Sequence, residues 1–122
     1  MHRLRVIVSV VVLAGIMTSC GTTEKDQMEQ ELKTFIADFE AKVPPLSKEA
    51  AIAYFDASIS GTEVDYQQAA DLELELSKLF ADKEAFAKLK TIRDSRAVSD
   101  PLLVRQLEVL YHSYLSKQID EQ

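Results

Sequence analysis

Beyond Cys20 the chain has only two glycines, Gly21 and Gly61, and three prolines, two of them adjacent at Pro44-Pro45. Apolar residues recur between these few breakers at intervals of three and four. That combination constrains the fold more than any other feature, because it favours long amphipathic helices over strands. In "KDQMEQELKTFIADFEAKV", Met28, Leu32, Phe35 and Phe39 fall on one stripe. Pro44-Pro45 is expected to stop this helix. Ser47 is then placed to cap a second, "KEAAIAYFDASIS", in which Ile52, Phe55 and Ile59 share a face while Ala50, Ala51 and Ala53 permit close approach. Gly61 ends it, and Thr62 with Asp65 three residues on reads as an acidic variant of the capping box.

The third helix, "EVDYQQAADLELELSKLF", is expected to bury Ala69, Leu72, Leu76, Leu79 and Phe80. Its "LELEL" core alternates like a strand, but the flanks keep the helical period and glutamate favours helix. Asp82 caps "KEAFAKLKTIRDS", with Phe86 and Leu89 inward. Asp100-Pro101 is an N-cap followed by proline at the first helical position. The last helix, from Pro101 to about Asp120, carries one stripe of Leu103, Leu107, Leu110 and Tyr114. A second stripe of Val104, Tyr111, Leu115 and Ile119 lies beside it. Two stripes imply flanking on two sides, and in a truncated chain they would leave Leu107, Tyr111, Tyr114 and Leu115 exposed. The fold expected is all-α: an antiparallel array of about five helices over residues 28–122, with short links that make successive helices neighbours.

Residues 1–19 do not belong to that domain. Arg3 and Arg5 precede "VIVSVVVLAGIM" and the small residues Thr18 and Ser19, which is the layout of a cleaved secretory signal. The apolar run is shorter than the roughly 20 residues that span a bilayer, so a retained membrane helix is the weaker reading. Met17-Thr18-Ser19-Cys20 resembles a bacterial lipobox, with Met17 where leucine is commoner. The resemblance implies a diacylglyceryl group on the Cys20 thiol, cleavage before Cys20 and acylation of the new amino terminus. Two or more chains anchor a protein stably where one does not. Gly21, rather than aspartate, after the cysteine favours the outer membrane. Cys20 is the only cysteine, so a disulfide lacks its partner and a metal site lacks neighbours. Residues 20–27 then form a flexible linker from the lipid to the domain.

The processed chain keeps all 20 acidic residues and loses Arg3 and Arg5, making it more acidic than the full chain at −6. Nucleic acid as a partner is disfavoured, because phosphate neutralisation needs clustered lysine and arginine. His112 is the only histidine left, and on an apolar helix among tyrosines it reads as a packed, hydrogen-bonded residue rather than a ligand. A zinc hydrolase wants His-Glu-x-x-His, which is absent from the chain. Asp71, Glu73 and Glu75 look like a cluster, but residues two apart on a helix point away from each other, so Glu73 and Glu75 do not converge and the group reads as a solvated face. Arg93, Asp94 and Arg96 could hold a partner's carboxylate, but read more simply as charges around a loop. No catalytic residue, metal ligand or cofactor site is assigned.

From Phe35 onward the chain resembles the N-terminal helical region of bacterial zinc metallopeptidases similar to angiotensin-converting enzyme, the peptidyl-dipeptidase A group. The resemblance is carried by "AYFDASISG", "ELELSKLFADKEAFAKLK" and "DPLLVRQLEVLYHSYLSKQID", which are packing and capping signatures. It implies a lid over a substrate cleft, with zinc and the catalytic glutamate on later helices that this sequence does not contain. No zinc or catalytic residue of that family has a matching position here. Two readings follow. One is the N-terminal segment of a truncated peptidyl-dipeptidase-like lipoprotein, inactive alone and partnered by its catalytic region. The other is a stand-alone helical lipoprotein that binds a protein or peptide on the periplasmic side of the envelope.

Overall fold

The computed structural model describes residues 23–118. Its described secondary structure is entirely helical: α1 (Glu24–Ser60), α2 (Glu63–Phe80), α3 (Lys83–Ser95) and α4 (Pro101–Leu115). The all-α expectation holds, with four helices among the described residues in place of five. The difference lies at Pro44-Pro45, where α1 continues for 37 residues with both prolines inside it. Ser47, expected to cap a second helix, is an interior residue of α1.

Each interior proline removes a backbone donor and crowds the carbonyl four residues back, at a cost of about 3 kcal/mol. Here the carbonyls of Glu40 and Ala41 lose their helical donors. Packing offsets that loss, because α2 lies along α1 on both sides of the break. The Tyr54 and Tyr66 rings meet at 6.5 Å after the prolines, and Phe39 and Phe80 meet at 5.9 Å before them. Val43, next to the pair, is buried.

The link between α1 and α2 is only Gly61-Thr62. Gly61 adopts φ 66°, a left-handed conformation that a side chain disfavours, and its N–H donates to the Ala57 carbonyl at 2.8 Å. The Thr62 hydroxyl accepts from the Asp65 N–H and donates to the Asp65 carboxylate at 2.8 Å, as the sequence predicts. Ser60 also donates to that carboxylate. These donors, Ser60 first, hold the Asp65 carboxyl below its ordinary range. Thr23 and Asp26 repeat the device at the start of α1, which therefore begins at Glu24, ahead of the Met28 boundary expected for the domain. Asp82 and Asp100 cap α3 and α4 as expected.

The main core lies where the first half of α1 meets α3 and α4. Leu32 and Phe35 pack there with Leu89, Ile92, Leu103, Leu107, Leu110 and Tyr114. Edge-on rings link its helices: Tyr114 lies 5.7 Å from Phe35 and 5.3 Å from Phe80. Gln118 ties the end of α4 to the Phe80 carbonyl at 3.1 Å. At the other end Glu29 accepts from the Ser99 N–H at 3.1 Å, the first cause of its lowered carboxyl pKa. The two-stripe expectation for α4 is met in part. Leu103, Leu107, Leu110 and Tyr114 are buried, whereas in the second stripe Tyr111 is half-buried, Val104 and Leu115 are exposed, and Ile119 lies outside the described residues.

The second half of α1 and α2 form a separate helix pair extending from this base. Ala50, Ala57 and Ala69 are the buried residues between them. Leu72, Leu76, Leu79 and Phe80, expected to be buried, are half-buried because α2 is covered on one side only.

Replacing both prolines (Pro44→Ala, Pro45→Ala) restores two donors inside an existing helix. Urea unfolding should then show a gain of about 2–5 kcal/mol. A loss would mean that the prolines start a helix rather than interrupt one.

Candidate functional site

Cys20, the lipid-attachment residue expected from sequence, lies outside the described residues. No described helix is long and apolar enough to cross a membrane. Among the described residues no three of His, Cys, Asp and Glu come together in a group that could hold a metal ion.

The chemistry-bearing residues of α3 and α4 form a surface cluster. The Arg93 Nε donates to the Glu108 carboxylate at 2.8 Å, and its guanidinium carbon lies 4.3 Å from the centroid of the Tyr111 ring. Tyr111 in turn packs against Phe86 at 5.3 Å. The pair with Glu108 raises the Arg93 pKa further and fixes its charge. Arg93 is thus committed to joining α3 and α4 rather than free for a ligand. Asp94 pairs with Lys90 along its own helix. Arg96 is the left-handed C-cap residue of α3, with φ 54°, and has no ion-pair partner among the described residues. A cleft of about 520 Å³ beside them is lined by Ile92, Arg96, Val98, Val104, Leu107 and Glu108. Arg93 and Asp94 also line it, and of its charged side chains Arg96 alone has no ion-pair partner among the described residues.

His112 departs from expectation. Its side chain is 64% exposed, with Nε2 at 3.7 Å from the Glu108 carboxylate. It sits on the outer side of α4, two residues before the buried Tyr114, so the helix turns it away from the core. Asp71, Glu73 and Glu75 are all exposed on α2, and Asp71 accepts from Gln67 at 2.8 Å. Asp71 and Glu75, one turn apart, line one groove with Glu63, and Glu73 is not among the residues lining it.

What the structure does present is a bare apolar face. Ile52, Phe55 and Ile59 share one side of α1, as the sequence indicates, but that side faces outward, with exposures of 50, 64 and 71%. At about 100° per residue, Phe55 lies roughly 160° around the helix from Ala57. The alanine side of α1 packs on α2 and the bulky side is left open. The short Gly61-Thr62 link requires close pairing, and small side chains allow the closest approach of helix axes. A signal for this was present in the sequence, since α1 has two opposed apolar sides and only one neighbour reached by so short a link. A second, smaller groove of about 280 Å³ lies between α1 and α4, with Ile36, Phe39, Leu102, Arg105 and Val109 along it.

Comparisons with protein-family models, with curated proteins and with solved structures found no match.

The Arg93 cluster is read as structural, and truncation tests this. Arg93→Ala removes a half-exposed ion pair and a cation–ring contact, so urea unfolding should show a loss of about 0.5–1.5 kcal/mol. A loss above about 3 kcal/mol would mark the pair as a buried keystone.

Proposed function

We propose that this chain is a non-catalytic helical module, held at the bacterial envelope by lipid on Cys20, that binds another protein or a peptide. The observation that carries this reading is the open stripe of Ile52, Phe55 and Ile59 on a helix pair whose inner faces are already packed. Large apolar side chains set together on a helix face favour a partner over water. The scaffold for this role is an antiparallel array in which α1 pairs with α2 and α3 with α4. The Tyr54–Tyr66 and Phe39–Phe80 contacts support that sense for the first pair.

The anchor fits this arrangement. Helix α1 starts four residues after Cys20, so the base of the fold lies beside the lipid. The 1.5 Å rise per residue then allows Phe55 to stand up to about 45 Å from the start of α1. The outer membrane, on its periplasmic face, is the proposed location. The resemblance to the peptidyl-dipeptidase lid supports a second reading, in which the partner is the zinc-bearing catalytic region of such an enzyme and this chain covers its cleft.

Two measurements test the proposal. The Cys20→Ser variant lacks the sulfur that takes the lipid, so it should stay unprocessed and no longer partition into detergent as the parent does. Parent-like processing and partitioning would rule the anchor out. A photocrosslinking residue at Phe55 should trap one identifiable envelope protein in cells, while the same residue at Lys90 on the base should not. A peptide carrying His-Glu-x-x-His in that adduct would select the peptidase reading. Equal, diffuse labelling from both positions would remove the binding role.

A further inference from the structure

Charge is distributed very unevenly over the described residues. Residues 46–77, the second half of α1 together with most of α2, hold seven carboxylates and one lysine, Lys48. The rest of the described chain balances eleven acidic residues against eleven Lys and Arg. The helix pair therefore carries the whole net charge of residues 23–118. Every ion pair among the described residues lies outside it, on the base. On the pair, Asp65 is used in capping and Asp71 accepts from Gln67, whereas Glu49, Asp56 and Glu63 have no hydrogen-bonding or ionic partner among the described residues. Glu49 and Asp56 are seven residues apart, two helical turns, and run along one flank of the Ile52–Phe55–Ile59 stripe. Lys48 continues the stripe at its base end.

We infer that this face of α1 docks a basic amphipathic helix of another protein, whose apolar side covers Ile52, Phe55 and Ile59 and whose lysines or arginines meet Glu49 and Asp56. The inference rests on the binding-module reading and names the chemistry of its partner. Complementary charge along an apolar stripe both steers encounter and fixes register. The same charge disfavours the other occupants. A second copy would set one strongly acidic helix pair against another. An anionic lipid surface would be repelled, because adsorbing helices present lysine and arginine beside their apolar side.

The test uses the full-length protein in phosphatidylcholine nanodiscs, with empty discs as the baseline. The probe is a synthetic helical peptide of leucine and lysine patterned at the helical period, alongside a leucine–glutamate counterpart. The lysine peptide should bind and the glutamate peptide should not. Phe55→Ala with Ile59→Ala, both at exposed positions, should weaken binding about tenfold or more. Glu49→Lys with Asp56→Lys should do the same. Binding should also weaken as salt rises from about 0.1 M to about 1 M, where the screening length falls from about 10 Å to about 3 Å. Leu102→Ala with Val109→Ala, in the α1–α4 groove, should leave affinity unchanged.

Absence of lysine-peptide binding overturns the inference. So does binding that responds to the charge reversals but not to Phe55→Ala with Ile59→Ala, since that is attraction without docking. Covalent dimers formed through Phe55→Cys in preference to peptide binding would make a second copy the occupant and also overturn it. The in-cell crosslink at Phe55 separates the two levels. A specific adduct without lysine-peptide binding refutes the partner chemistry and leaves the binding module standing, whereas loss of both removes the module as well.

Discussion

The fold depends on α2 packing across the proline pair of α1. Two consecutive prolines inside a helix delete adjacent hydrogen bonds, and a free helix would break there. With α2 alongside, Phe80 holds Phe39 on one side of the break and Tyr66 holds Tyr54 on the other. The break then lies within a paired segment, and separating the halves would mean losing the contacts of α2 with one of them. The continuity of α1 is thus a tertiary effect, and it joins the base of the molecule to the protruding pair.

Base and pair differ in how they are held. The base has an apolar core of leucines, isoleucine, valine and aromatic rings, with ion pairs around it. The pair is held by an alanine interface and a two-residue turn, with its bulky residues outside. Alanine faces bring backbones close but bury little area per residue, so less apolar burial supports this half than supports the base. The pair's outward apolar side chains, and carboxylates without partners among the described residues, are the features on which the proposed binding role rests.

Among the described residues no three of His, Cys, Asp and Glu come together in a group that could hold a metal ion. The half-exposed pair of Arg93 with Glu108, with the guanidinium over the Tyr111 ring, acts as a clasp between α3 and α4. His112 lies 3.7 Å from the Glu108 carboxylate on its own helix, and Asp71, Glu73 and Glu75 are exposed on α2. The proposed binding role therefore rests on the placement of Ile52, Phe55 and Ile59, which are exposed on one side of α1.

Much of this was legible in the sequence. Local chemistry determined the helical class, the caps at Thr62, Asp82 and Asp100, the left-handed turn at Gly61 and the inward stripe of α4, because each depends on residues within a turn or two of one another. The sequence also showed that Ile52, Phe55 and Ile59 share a side. Tertiary structure alone decided which way that side faces, because burial depends on the neighbour that arrives, and the Gly61-Thr62 link brings α2 to the alanines. It likewise decided the fate of Pro44-Pro45. The local cost of proline was readable, but the packing that offsets it comes from Tyr66 and Phe80, more than ten residues away along the chain, and no pattern around the prolines encodes their arrival.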